Sequence, residues 1–274
     1  MPVRPVDVFA WLLAGLMLVS VRRPRDALRL ARDWLPLLAF LLAYALARGA
    51  SDTDVASAHY AVQVDFDRAL AGGSLPTLWL QQALADPGVV RWYDWCAWAT
   101  YVSYFVVPWA VLAVLWHGDR DRFRQLRNRI VTLVVLACAV YAAYPAVPPW
   151  LASNLGRIPP TERLLGPVWS AVGLEPARAL FDTGGDVVNL VAAVPSLHAA
   201  VPALLAAWSW RAHRRIGVVA GFYALAMGFT LVYTGEHFVF DVLVGWALGA
   251  GVGLVSPHEL ASVLGERRRR FARG

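Results

Sequence analysis

Charged residues make up only 16% of this 274-residue chain, well short of the roughly one quarter usual in soluble domains. With 58% hydrophobic residues and a mean hydropathy of +0.50, that shortage excludes a water-soluble globular protein. Lysine is absent altogether: all 25 basic residues are arginine, so the map of positive charge is a map of arginine. Cysteine is nearly absent too. Cys96 and Cys138 both fall in apolar runs, so they say nothing about redox compartment and read as small core residues. No internal repeat or low-complexity tract is visible, which counts against the duplicated architectures common among transporters.

What the chain does have is apolar runs. A bilayer span takes about 20 such residues, and runs of that order occur at 95–116, 130–148, 216–234 and 238–256, with less clean ones at 34–50 and 187–210. The expected fold is an all-α integral membrane protein, a six-helix transmembrane bundle with amphipathic interfacial helices. Residues 34–256 would form the six-span catalytic domain, 1–33 a cytoplasmic or interfacial element, and 257–274 an Arg-rich cytoplasmic tail. The apolar run at 8–21 ends at Arg22-Arg23 without a small-residue cleavage site, so it is not read as a removed signal peptide. At 14 residues it is short for a span. It is expected to lie on or dip into the inner face, a seventh span being the alternative.

Arginine sorts by segment. Five lie in 22–33, five in 117–129, three in 211–215 and five in 266–274, whereas the intervening 51–94 and 149–186 lean acidic. Basic loops stay in the cytoplasm, so the two sets of connections fall on opposite sides, in the cytoplasmic membrane. The net charge of +6 is then a topological signal, and nucleic acid is not an expected partner. Segment 51–94 is too long for a bare loop. Its stretch S-L-P-T-L-W-L-Q-Q-A-L has helical apolar spacing with Pro76 near its start, which predicts surface helices half-sunk in the outer leaflet. Trp92, Trp95 and Trp98 then bring the chain to the interface. Gly245, Gly249 and Gly253 recur every fourth residue, as do Gly217 and Gly221, a pattern of close helix packing.

The six histidines divide. His117, His213 and His258 lie on the inner side near arginine clusters, and His59 lies in the first outer segment without a partner suggested by spacing. His198 and His237 remain, with Asp241. If Pro195 begins span four, the chain descends to about Arg215 and returns through 216–235. Each leg is about 20 residues, or roughly 30 Å, which matches the hydrocarbon thickness. The two histidines therefore return to similar depth near the outer face, and Asp241, four residues past His237, shares a helix face with it. An aspartate within a span costs roughly 2.5–3.5 kcal/mol on insertion scales unless it finds a partner. His237 is the partner that spacing offers.

Two imidazoles and a carboxylate suit phosphoryl transfer. A carboxylate holding one ring nitrogen fixes the tautomer and leaves the other nitrogen as a nucleophilic lone pair. The second histidine can protonate the leaving oxygen. A packing residue or a proton relay is the simpler reading of an isolated histidine. Zinc uses the same residue types, but no third ligand is evident, so neither metal nor cofactor is expected.

P-S-L-H at 195–198 followed by Y-T-G-E-H-F-V-F-D at 233–241 resembles the second and third motifs of the type-2 phosphatidic acid phosphatase superfamily. Y-P-A-V-P-P-W at 144–150 resembles a stretch typical of its inositol phosphorylceramide synthase branch. The resemblance covers about 130–255; the N-terminal half fits only in its pattern of spans. It implies His237 as nucleophile, Asp241 as its orienting partner and His198 as proton donor, in a six-helix bundle with the site at the outer face. Three positions depart from the superfamily pattern. Leu197 stands where glycine is usual, Thr230-Leu231 where Ser-Arg is usual, and the lysine of the first motif has no counterpart. These departures favour the synthase branch over a plain phosphatase.

Something must still balance the phosphate charge. Arg157, Arg163 and Arg178 are the basic residues of the second outer segment, and Tyr144 and Tyr233 can donate hydrogen bonds. Ser196, Asn189 and Glu236 complete the candidate substrate-binding set. The expected activity is transfer of a phosphorylated head group, phosphoinositol by resemblance, from a phospholipid donor to a lipid or glycan alcohol acceptor. The alternatives are a lipid phosphate phosphatase and a proton-coupled lipid transporter.

Overall fold

The computed structural model describes residues 28–35, 37–38, 55–86, 88–182 and 189–255. The run at 8–21, most of the expected first span at 34–50, and the Arg-rich tail at 257–274 lie outside the described residues. Among the described residues every regular element is helical. After a helical stretch at 28–35 and a single 3-10 turn at Val55–Ser57, the helices are α1 (Ala61–Leu70), α2 (Pro76–Leu84), α3 (Trp92–Ser103), α4 (Val107–Gly118) and α5 (Arg120–Ala143). They continue as α6 (Pro149–Asn154), α7 (Leu165–Ala171), α8 (Glu175–Asp182), α9 (Leu197–Ala212), α10 (Arg214–Tyr233) and α11 (Val239–Leu254).

Among the described residues two helices, α5 and α10, are long and apolar enough to cross a membrane, and the α3–α4 pair would make a third if counted as one broken span. The run at 95–116, expected as a single helix, bends by 48° between α3 and α4. Pro108 is the cause. Its ring lacks an N–H and would clash with the carbonyl four residues back, at Tyr104, where the first helix ends. The expected loop at 117–129 is mostly helix as well. Asp119 accepts from Arg122 N at 3.0 Å and starts α5 ten residues before the apolar run. Helices α9 and α11 have 16 residues each, about 24 Å long at 1.5 Å per residue.

Helix α2 begins at Pro76, as the spacing of that stretch predicts. On α1 the exposed residues Val62, Phe66 and Leu70 form one apolar stripe, flanking the face of buried Gln63, Val64 and Asp67. Arginine gathers at one end of the bundle. Arg122 Nη1 lies 3.1 Å from His213 Nε2 at the α9–α10 turn, and Arg129 Nη2 donates to Val255 O at 2.9 Å, past the end of α11. At this end Asp33, buried at 6% exposure, accepts from Trp116 Nε1 and pairs with Arg120, docking the 28–35 helix.

Glycine brings the two motif-bearing helices together. A Cβ on Gly245 would lie 2.5 Å from Ser196 O, and one on Gly249 2.0 Å from Ala200 O, so only glycine lets α11 approach α9 this closely. Gly253 and Gly217 are similarly tight, against α9, whereas Gly221 faces open space and needs no such account. At the opposite end from these arginines of 120–129, three extended pieces lie side by side. His59 bridges Ala146, which bridges Ala192. This ladder ties segment 51–94 to the residues leading into P-S-L-H.

Candidate active site

Helix α11 starts with a capping box: Phe238 is the N-cap, and Asp241 sits three residues on. Asp241 is fully buried. Its Oδ2 accepts from Phe238 N at 3.0 Å and lies 3.2 Å from His237 Nδ1. The contact expected from the four-residue spacing is therefore made, but through the capping turn rather than a shared helix face, because His237 stands just before the helix. The carboxylate assigns the proton to Nδ1 and leaves Nε2 with its lone pair. Asp241 Oδ1 has no hydrogen-bond partner among the described residues.

His198 is the second residue of α9, whose N-cap, Ser196, accepts from Ala199 N at 3.3 Å. Ser196 N donates to Asp241 O at 3.2 Å, joining the two helix starts. The rings of His198 and His237 are 6.2 Å apart between centroids. Tyr101 stacks on His198 at 4.9 Å, Tyr104 lies at 4.1 Å and Phe105 at 5.7 Å. His198 Nε2 is buried without a partner among the described residues. An aromatic cage thus surrounds the second imidazole, and it comes from the α3–α4 break. Sequence reasoning missed it. The available signal was Pro108, which marks where an apolar run must open and release side chains toward a neighbour.

The remaining candidates separate into groups. Arg163 forks onto Glu236, the residue before His237, with Nε to Oε1 at 2.7 Å and Nη2 to Oε2 at 3.0 Å. Its guanidinium also lies over the Trp150 ring at 4.5 Å. Tyr233 has its hydroxyl on Asp94 at 2.6 Å, buried, and so acts as a strut to α3. Tyr144 donates to Gln63 Oε1 at 3.2 Å and stacks flat on His59 at 4.3 Å, a partner for His59 that spacing did not offer. Arg157 donates to the carbonyls of Ala56 and Ala58. With His59, Tyr60 and Tyr144 it lines an open cavity of about 250 Å³. Arg178 donates to Ser170 Oγ, and Asn189 Oδ1 accepts from Val191 N. Those last two are not brought to the histidines by any of these contacts.

Segments 51–94 and 149–186 pack on the turn that precedes His237. Gln81 donates to the carbonyls of Glu162 and Tyr233, Leu164 N donates to Thr234 O, and Trp150 N to Gly235 O. Gly235 has φ +77°, and a Cβ there would lie 2.6 Å from Glu162 O, so glycine is required at this turn. Among the described residues no three His, Cys, Asp or Glu side chains are grouped as a metal site would need.

A buried His–Asp pair thus lies beside a second histidine at one end of a helical membrane bundle, and residues 64–255 match the family model of the PAP2 superfamily, which points to an enzyme acting on lipid phosphates. The chain belongs to that superfamily. Over 167 residues it is 29% identical to a phosphoinositol dihydroceramide synthase of Bacteroides thetaiotaomicron, covering 56% of this chain and 53% of that one. The chain thus spans about half the length of the curated relative it matches. No solved structure matches it. The family resemblance read from P-S-L-H and Y-T-G-E-H-F-V-F-D is borne out, and the likeness to the synthase branch has a counterpart in this relative.

Proposed function

We propose that the chain is a membrane phosphotransferase that moves phosphoinositol from a phospholipid to a lipid or glycan alcohol through a phosphohistidine at His237. The observation that carries this reading is the Asp241–His237 contact at 3.2 Å with the His198 ring 6.2 Å away. In the first step His237 Nε2 attacks phosphorus, the bond to the diacylglycerol oxygen breaks, and protonated His198 supplies its proton to that oxygen. In the second step the acceptor hydroxyl gives its proton to His198 and attacks phosphorus, and the P–N bond breaks. Asp241 stabilises the positive charge that develops on the His237 ring.

Arg163 is the residue proposed to hold the phosphate oxygens, exchanging the Glu236 carboxylate for the incoming anion. Arg157, Tyr144 and His59 lie apart from it and are proposed to receive the polar head group. The cover formed by the outer segments supports transfer over hydrolysis, because a site that excludes water suppresses the most abundant competing nucleophile. The aspartates and aromatics of this end, opposite the arginines, support an extracytoplasmic site in the cytoplasmic membrane. Substitution tests the chemistry. In membranes where the fold is retained, His237→Ala should abolish turnover, and His198→Ala should reduce it by about 10²–10⁴-fold. Near-normal turnover by His237→Ala would end the mechanism.

A further inference from the structure

Asp67 belongs to α1, 172 residues before Val239 in the chain, and it is fully buried. No cation pairs with it among the described residues. Its Oδ2 accepts from Val239 N at 3.0 Å and its Oδ1 from Phe240 N at 3.1 Å. Val239 and Phe240 are the first two residues of α11, whose N–H groups have no acceptor within their own helix. The next N–H toward the nucleophile, that of Phe238, goes to Asp241. Two carboxylates therefore share the donors at the start of the catalytic helix, and one of them must also hold His237. Without Asp67, the donors of Val239 and Phe240 would be left to draw on the Asp241 carboxylate and turn it from the imidazole.

We propose that Asp67 is a positioning residue of the active site, which takes the first two N–H groups of α11 so that Asp241 stays directed at His237 Nδ1. The proposal rests on the reading of His237 as nucleophile. It links that pair to a helix whose outer stripe, Val62, Phe66 and Leu70, suits a lipid surface. Burial pushes Asp67 up to about 6 despite the two backbone bonds, and the charge of Asp241 adds to the rise. Of the other groups around it, Tyr144 reaches α1 one turn earlier, at Gln63, while Asp65 and Arg68 on α1 itself are exposed. A carboxylate accepts at both oxygens. The protonated acid turns a hydroxyl toward one of the two N–H groups and loses that bond.

Activity and stability should then move in opposite directions with pH. The folded-state value lies above the ordinary carboxylate value of 3.8, so the stability contribution of Asp67 is full below that value and is lost as pH rises through about 6. Positioning needs the ionised form and is gained over the same interval. The test compares wild type with Asp67→Asn and Asp67→Glu in nanodiscs containing phosphatidylinositol and a long-chain alcohol, from about pH 5 to about pH 7.5, reading kcat and Tm at each pH.

The ratio of wild-type to Asp67→Asn turnover should rise by about tenfold across that range. Over the same range the Tm of wild type relative to Asp67→Asn should fall, and Asp67→Glu should restore part of the pH dependence. A turnover ratio that stays constant, or that follows Tm, would overturn the proposal. So would failure of both variants to fold, which would make Asp67 a structural cap only. His237→Ala in the same assay keeps the two readings apart. Its loss of turnover alongside a flat Asp67 ratio defeats this inference alone, while its retention of turnover defeats the nucleophile.

Discussion

Arg163 and Glu236 meet in a two-pronged ion pair beside His237, with side-chain exposures of 14% and 7%. Neither is a member of the His–His–Asp set, yet on the proposed function their placement would let a lysine-free chain meet a phosphate. The guanidinium is planar, always charged, and already oriented by the Trp150 ring. In the proposed function the Glu236 carboxylate holds it until an anion with the same two-oxygen geometry arrives. Lysine at this position would keep the charge and lose the fork. Arg163→Lys should therefore lower kcat/KM by on the order of 10²-fold, the usual effect of losing a donor to developing charge, with Tm nearly unchanged. Initial rates on an inositol phospholipid and a thermal melt check it; an unaltered rate would remove Arg163 from the phosphate site.

At the scale of elements, the site depends on how closely α11 lies against α9. Gly249 marks the tightest approach, where an added Cβ would sit 2.0 Å from Ala200 O. Gly249→Ala should cost about 1–3 kcal/mol by overpacking and should also depress turnover, because pushing the helices apart separates His198 from His237. Gly251, on the same helix, has nothing within 4 Å of such a Cβ. Gly251→Ala should leave both Tm and activity near wild type, and equal losses in the two variants would contradict the packing account. This stripe was legible in the sequence because a four-residue repeat of glycine has few other physical explanations. The His–Asp spacing and the proline-led start of α2 were legible for the same kind of reason. The 48° bend was not. Hydropathy continues unbroken through 95–116, and only the position of Pro108 carries the signal. Nor was Asp67 legible, since no spacing rule connects a surface helix to N–H groups 172 residues away.

Among the described residues the arginines of 120–129 and 211–215 lie at one end of the bundle and the His–Asp pair lies at the other, together with Arg163. If basic segments remain in the cytoplasm, the site faces outward, and the covering segments are reached from outside. Single cysteines at Ser57 and Asn154, both exposed, in a background lacking Cys96 and Cys138, should react with an impermeant reagent on intact cells. Asn154 suits this better than its neighbour Ser153, whose hydroxyl accepts from Thr161 N. Labelling only after the membrane is opened would place the chemistry on the cytoplasmic side. The bilayer-side architecture also bears on transfer. On the proposed function, a donor and an acceptor that both reside in lipid would enter beneath this cover, which would hold bulk water out.

The account stands on a covalent phosphoryl group at His237, and trapping it is the most direct test. His198→Ala should slow proton supply to the leaving oxygen without abolishing attack, so the intermediate should accumulate when purified protein is mixed with an inositol phospholipid at alkaline pH. Peptide mass spectrometry should then place phosphoinositol on His237. Adding a long-chain alcohol should discharge it to a phosphodiester, with free inositol phosphate as a minor product. An unmodified His237 under conditions where the wild type turns over, or discharge to water regardless of the alcohol, would contradict the account.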